Sequence, residues 1–348
     1  MPKYQLDKKI FCLLIVSASL LLFFAGSLQY VLALDEKIAL ANIGTYLNSN
    51  QLDLYDPDPG LYKIKIMPGQ LRTTSGIIRT YTLYLPQQSS GLPHPPFSLL
   101  VLIHGFLMSG RQHSNNAEYF AQRGFVVITP DLSKVLLGDT KRMHNVQDTL
   151  DQIAWLIRQG NTKTSPLYGL IDSNRIGIAG NSAGGAVCLE MLIEAQNAKV
   201  PIHAVCSLDG VPWDRTKDRM SLIKPVNILS LRAEPSLCNY HARMLEYLPL
   251  LTFPYNDVKI NGAHHCDVEN PTTLGCRCVC GTSAAPFRRI FQRLTYLYFR
   301  DTLGAPKLAS SANDSFVEAV QDLSNNGLAI ANLNQLKPVQ LAGKEQIQ

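Results

Sequence analysis

Residues 175–185 read R-I-G-I-A-G-N-S-A-G-G. An apolar run at 176–179 leads into Gly180-Asn181-Ser182-Ala183-Gly184, and a helix-compatible stretch at 186–195 follows at once. That pattern is strand, sharp turn and helix, with a serine at the apex and its hydroxyl pushed out above a sheet edge. The flanking glycines fit because a Cβ on either side would collide with the neighbouring strand or helix. Ser182 is therefore the candidate nucleophile. A serine hydroxyl does not attack unaided: it needs a histidine base, and the base needs a carboxylate to fix its tautomer. In the order expected for a serine on such a turn, the acid comes next and the histidine last.

The base belongs in a loop after the last strand. A strand expected at 257–260 is followed by Asn261-Gly262-Ala263-His264-His265-Cys266-Asp267, and of the two adjacent histidines His265 is the expected base. Two positions compete for the acid. Residues 226–231 end in Arg232-Ala233-Glu234, and residues 204–208 end in Asp209-Gly210. Glu234 is the expected acid and Asp209 the alternative, with Asp214 and Asp267 as more remote options. Negative charge on the substrate oxygen needs two preorganised N–H donors. Ala183, the residue after the nucleophile, supplies one. Phe106, in the His104-Gly105-Phe106-Leu107 loop after an apolar strand at 98–103, supplies the other. His104 itself is expected to brace that loop by hydrogen bonds.

Stepping along the chain, apolar runs alternate with helical stretches. Residues 62–67 and 77–85 form an antiparallel opening pair, 98–103 a fully apolar strand of a buried parallel sheet, and 115–123 a helix leading to a strand at 125–129. A helix at 146–159, with Asn145 as its N-cap, precedes the strand 175–179. Strands at 204–208, 226–231 and 257–260 and a last helix at 285–298 complete the pattern. This alternation predicts an α/β fold with a mostly parallel, doubly wound sheet and flanking helices.

The 348 residues, 46% apolar and 17% charged, can bury a large core as one domain. Lys3, Lys8 and Lys9 precede an apolar run at 10–25, and Val31-Leu32-Ala33 offers small residues for cleavage. Residues 1–33 read as a signal peptide, with a membrane anchor as the rival. The apolar run is a little short for a span. The expected layout is then an N-terminal extension at 34–61, a catalytic domain at 62–303 and a C-terminal extension at 304–348, forming one or two short helices or a loose tail. The net charge is +5; three lysines and Asp7 of the leader supply +2 of it, leaving +3, too mild to argue for nucleic acid. Export makes the late cysteines 238, 266, 276, 278 and 280 disulfide candidates, and five is odd, so at least one stays free or pairs with a core cysteine. Cys188 and Cys206 read as buried apolar fillers. A zinc site from the Cys-x-Cys-x-Cys run with His264 and His265 fits less well, because zinc sites usually use wider spacing.

Over residues 75–300 the chain resembles the α/β-hydrolase superfamily, in its dienelactone-hydrolase-like branch of cutinase-like polyester hydrolases, plant chlorophyllases and platelet-activating-factor acetylhydrolases. The resemblance is carried by H-G-F at 104–106, G-F-V-V-I-T-P-D at 124–131, G-N-S-A-G-G at 180–185 and I-N-G-A-H-H at 260–265. It implies an α/β-hydrolase fold. Against polyester hydrolases it implies that the strand ending at Glu234 delivers the acid, that His265 is the base, and that Phe106 and Trp213 flank the ester as substrate-binding aromatics. Against chlorophyllases, L-D-G at 208–210 matches the segment carrying their acid, Asp209. It also implies a Cys238–Cys266 bridge clamping the acid and base loops, with Cys276–Cys280 as a competing use of the cluster. Two departures stand out: Asn181 replaces the His or Trp of the polyester hydrolases and the His of the chlorophyllases, and a Glu stands where the former have Asp. The expected protein is an exported serine hydrolase acting on a small-molecule, lipid or polymer ester through an acyl-enzyme, with no metal or organic cofactor, no nucleic acid and no obligate protein partner. An amidase or peptidase of the same fold, and a non-catalytic envelope binding protein, are the rivals.

Overall fold

The computed structural model describes residues 60–133, 139–305 and 315–334. The leader at 1–33 and nearly all of the extension at 34–61 lie outside the described residues. No described helix is long and apolar enough to cross a membrane.

Among the described residues nine strands form one sheet: β1 (Lys63–Arg72), β2 (Ile78–Gln87), β3 (Phe97–Ile103), β4 (Phe125–Pro130), β5 (Ile171–Asn181), β6 (Ala204–Leu208), β7 (Asn227–Arg232), β8 (Asn256–Ile260) and β9 (Ala329–Asn332). Their order is β1-β2-β4-β3-β5-β6-β7-β8-β9. From β4 to β8 every neighbouring pair is parallel. The edges are antiparallel, β1 and β2 on one side and β9 on the other. The helices are α1 (Ser114–Ala121), α2 (Asp139–Asn161), α3 (Ala183–Ala198), α4 (Asp214–Lys217), α5 (Leu274–Cys280), α6 (Ala285–Leu303) and α7 (Phe316–Asn325). This is an α/β-hydrolase fold with a mostly parallel sheet and flanking helices.

Side chains alternate across each strand, so an unbroken apolar run must be covered on both faces. Leu100 and Leu102 of β3 pack in one core with Phe120 of α1, Leu294 and Phe299 of α6, and Phe316 of α7. Leu99, Val101 and Ile103 pack in the other with Leu150 and Ile153 of α2 and Val187 of α3. Cys188 and Cys206 are buried, and burial pushes both thiols up, which fits inert fillers.

Three elements depart from the sequence expectation. Asn145 does not cap α2, which begins at Asp139; inside the helix, its Oδ1 accepts from Arg79 Nη2 at 3.2 Å and Ser133 N at 3.0 Å. The 274–280 stretch, outside the helices expected from the sequence, is the helix α5, whose N-cap Thr273 accepts from Cys276 N. The C-terminal extension supplies both α7 and the strand β9, which pairs with β8.

Candidate active site

Ser182 stands between the end of β5 and the start of α3 with φ 52° and ψ −121°, a conformation a non-glycine residue adopts only when its surroundings enforce it. The enforcement is visible. A Cβ on Gly180 would lie 2.3 Å from Gly184 O, and one on Gly184 would lie 2.4 Å from Ile103 O. The turn is held by Ser182 N donating to Leu208 O (3.1 Å) and by Ser182 O accepting from Gly185 N (3.0 Å) and Val211 N (2.8 Å). The bond from Val211 docks the elbow on the segment after β6, where Asp209 lies.

Asp209 also has a left-handed backbone, φ 44°, and its N–H donates to Leu231 O at 2.8 Å. Its carboxylate is 2% exposed and fully engaged. Oδ2 accepts from His265 Nδ1 at 2.6 Å, and Oδ1 accepts from Ala233 N at 3.1 Å. Asn239 Nδ2 reaches both oxygens at 3.1 Å. His265 opens a single turn, His265–Val268, shortly after β8, and is buried. With Nδ1–H donating to Asp209, its Nε2 is left as the basic nitrogen.

The structure does not bring Glu234 to His265. Its carboxylate is held by Lys259 Nζ at 2.9 and 3.0 Å and by Gly262 N at 3.1 Å. The expected acid is thereby corrected: the carboxylate on the histidine is Asp209, the alternative. The reason is local. Glu234 N–H pairs with Ala263 O, and Lys259 of β8 faces the end of β7, so Glu234 meets a cation before it can reach the ring. Asp214 pairs with Arg243, and Asp267 accepts from His264 N and Ala284 N; neither approaches His265 by these bonds.

The loop after β3 lies against the elbow, since a Cβ on Gly105 would be 3.2 Å from Ser182 Cβ. Phe106 follows, with its ring half exposed. His104 braces the loop as expected: Nδ1 donates to Gly105 O at 2.8 Å and Nε2 accepts from Leu132 N at 2.9 Å. Ser109, Gly110, Arg111 and Ser114 line a hollow of about 520 Å³ with Thr80, Thr82, Tyr84 and Asp131. Trp213, expected as a cleft wall, is only 6% exposed and packs in the α2–α3 core, its ring under Arg142.

A buried polar network behind Ser182 escaped the sequence reading. Asn181 Oδ1 accepts from His113 Nε2 at 3.2 Å, and Asn181 Nδ2 donates to Glu269 Oε1 at 3.3 Å. Asn116 Nδ2 donates to His113 Nδ1 at 3.2 Å. Burial holds His113 down to about 4, so it is neutral. Burial raises Glu269 to about 7, against the pull of the His265 charge and of donors from Thr273, Asn181 and Thr272. The one signal was the unusual Asn181 itself.

The disulfides are Cys238–Cys280 and Cys266–Cys276, with Cys278 free and exposed. Neither expected pairing, Cys238–Cys266 or Cys276–Cys280, is present. The acid-side and histidine loops are both clamped, but to α5 rather than to each other. Cys266, Cys276 and Cys280 place their sulfurs within 4.8 Å of one another, and all three are spent in these bridges.

A family model described as PET hydrolase-like matches residues 60–279. Among solved structures, a dienelactone hydrolase from Anabaena variabilis is similar at 18% identity and a TM-score of 0.44, over 59% of this chain and 89% of that one.

Proposed function

The chain belongs to the PET hydrolase-like family of ester-hydrolysing α/β-hydrolases, and from that premise we propose that it is an exported serine carboxylic-ester hydrolase working through an acyl-enzyme. The observation that carries the reading is the 2.6 Å contact between His265 Nδ1 and Asp209 Oδ2 at the sheet edge where the Ser182 elbow stands. Asp209 fixes the tautomer in which Nε2 is the base. Nε2 takes the proton of Ser182 Oγ as that oxygen attacks the ester carbonyl, then returns it to the leaving alcohol. Water repeats the sequence on the acyl-enzyme: Nε2 takes its proton, the hydroxyl displaces Ser182 Oγ, which recovers that proton from Nε2, and the carboxylic acid leaves. The N–H groups of Ala183 and Phe106 hold the oxyanion in both halves. Every step uses side chains and backbone of this chain, so the reaction calls for no cofactor.

The leader at 1–33 supports export, and two bridges among the late cysteines suit an oxidising compartment. The exposed Phe106 ring supports an apolar or aromatic group beside the ester. The test is hydrolysis of p-nitrophenyl esters from acetate to palmitate by the protein and its Ser182→Ala variant. We expect turnover whose chain-length optimum sizes the acyl pocket, and a loss on the order of 10⁶-fold in the variant. Equal turnover by both proteins would sink the mechanism. No turnover and no labelling by a fluorophosphonate probe would favour a binding protein on this fold.

A further inference from the structure

The buried hydrogen bonds behind Ser182 run in one direction. Gln292 Nε2 of α6 donates to Asn116 Oδ1 of α1 at 2.8 Å. Asn116 Nδ2 donates to His113 Nδ1 at 3.2 Å, and also to Val268 O, at the end of the turn that His265 opens, at 3.2 Å. With Nδ1 accepting, the ring proton sits on Nε2, which donates to Asn181 Oδ1 at 3.2 Å. Asn181 Nδ2 then donates to Glu269 Oε1 at 3.3 Å. Hydrogen bonds linked in this way, each donor also an acceptor, polarise and strengthen one another. His113 and Asn181 are both fully buried, so a partner lost from the chain is not replaced by bulk water. The two residues stand at informative places. His113 closes the turn Gly110–His113, seven residues after Phe106, and Asn181 lies two before Ala183. The stretch from Phe106 to His113 is tied down along its length. Met108 N donates to Gly105 O (3.3 Å), Ser109 N to Gln112 Oε1 (2.8 Å) and Gly110 N to Asp131 Oδ1 (2.8 Å). At its other end the stretch rests on the same asparagine, since a Cβ on Gly105 would lie 3.1 Å from Asn181 Nδ2.

We propose that His113 is a positioning residue that sets the spacing of the two oxyanion donors, Phe106 N–H and Ala183 N–H, through its hydrogen bond to Asn181. This rests on the reading of Ser182 as the nucleophile and of those two N–H groups as the donors. The donors sit on separate segments, the loop after β3 and the elbow, and neither segment fixes the distance between them alone. The contact of Gly105 with Asn181 and Ser182 limits how closely the loop approaches the elbow. The bond from His113 to Asn181 limits how far it withdraws. An oxyanion donor acts only within about 2.7–3.1 Å of the oxygen, and a misplacement of about 1 Å costs on the order of 10²-fold in rate. His113 is buried behind the elbow, so its removal acts on the charged oxygen of the transition state and leaves ground-state binding nearly untouched.

The test compares wild type, His113→Phe and His113→Gln at neutral pH, with folding checked by circular dichroism. Phe keeps a ring and loses both hydrogen bonds; Gln keeps an N–H to offer Asn181 and an oxygen to accept from Asn116. Two readouts are taken: kcat and KM on a p-nitrophenyl ester, and inhibition by an alkyl trifluoromethyl ketone. Ser182 Oγ adds to the ketone carbon, its proton passes to His265 Nε2, and the carbonyl electron pair moves onto the oxygen, so this inhibitor places an oxyanion between the two donors. In His113→Phe, kcat should fall between about 10- and 100-fold with KM little changed, and the ketone should bind more weakly by a similar factor. His113→Gln should restore both to within a few-fold of wild type. A folded Phe variant with wild-type kcat overturns the proposal. So does a loss of kcat without loss of ketone affinity, or a Gln variant no better than Phe. If Phe does not fold, Asn116→Leu, which removes the donor to Nδ1 and leaves the ring in place, should weaken kcat and ketone binding together by a few-fold, and no change overturns the proposal. A wild-type protein that neither turns over esters nor binds the ketone would sink the esterase reading and this inference with it, whereas an active wild type indifferent to residue 113 sinks the inference alone.

Discussion

At the residue scale, two carboxylates at neighbouring strand ends have different fates, and the difference can be measured. Asp209 is sealed beside His265 with each oxygen occupied, whereas Glu234 is partly exposed in an ion pair with Lys259. Asp209→Asn keeps the shape but presents an amide to Nδ1, which allows the wrong tautomer. Its kcat/KM should fall on the order of 10³–10⁴-fold. Glu234→Gln should keep kcat/KM within a few-fold and instead lower the melting temperature by a few degrees, because Lys259 loses its partner. Steady-state kinetics beside a thermal scan separates the two roles, and a larger kinetic loss in the Glu234 variant would return that residue to the triad. The sequence showed both acids at the carboxyl ends of strands but could not choose. The choice depends on the φ of 44° that turns Asp209 inward and on Lys259 arriving from the next strand. Both are tertiary facts with no local signature. Ser182 was legible because its constraints are local: the two glycines that make room for it lie two residues away on either side.

At the element scale, α5 is a short helix that serves as an anchor. Cys266–Cys276 joins it to the histidine loop across 10 residues, and Cys238–Cys280 joins it to the segment after β7 across 42. In the chain-entropy account the longer closure contributes about 4 kcal/mol and the shorter about 3 kcal/mol. Activity should rank them in reverse. Cys266 is the residue after His265, while Cys238 touches Asp209 only through its neighbour Asn239. Cys238→Ser/Cys280→Ser should lose more stability, and Cys266→Ser/Cys276→Ser more kcat. Urea unfolding and ester turnover on both double variants check the crossing, and one variant worse on both measures would contradict it. Composition made these cysteines legible as bridge-formers but left their pairing open, because pairing depends on a helix that Cys-rich, Gly-containing sequence does not advertise. The edge strand β9 was hidden for a related reason. Four residues with little apolar alternation become a strand only because β8 offers an open edge and α7, through Phe316 and Val320, is pinned in the core.

At the scale of the whole molecule, ionisable groups placed in the core make stability depend on pH. Burial raises Asp267 from 3.8 to about 6 and Glu269 from 4.5 to about 7. Between the unfolded and folded values the native state holds protons that the unfolded chain has released, so these two acids make the protein less stable as pH rises from about 4 to 7. His113 works the other way. Its value falls from 6.5 to about 4, so its contribution is present above 6.5 and is lost as pH drops toward 4. The alternating apolar strands made the two cores predictable from sequence. The buried polar layer was not, because each of its members reads as an ordinary loop residue until the loops converge. Glu269→Gln isolates one of these contributions, since His113 and Asp267 are common to both proteins. The variant should gain stability relative to wild type by about 2–3 kcal/mol between pH 4 and pH 8, because it no longer ionises a carboxyl inside the fold. Urea midpoints of both proteins at pH 4, 6 and 8 read that difference. A stability difference independent of pH would mean that the carboxyl of Glu269 titrates in the folded protein as it does in the unfolded chain.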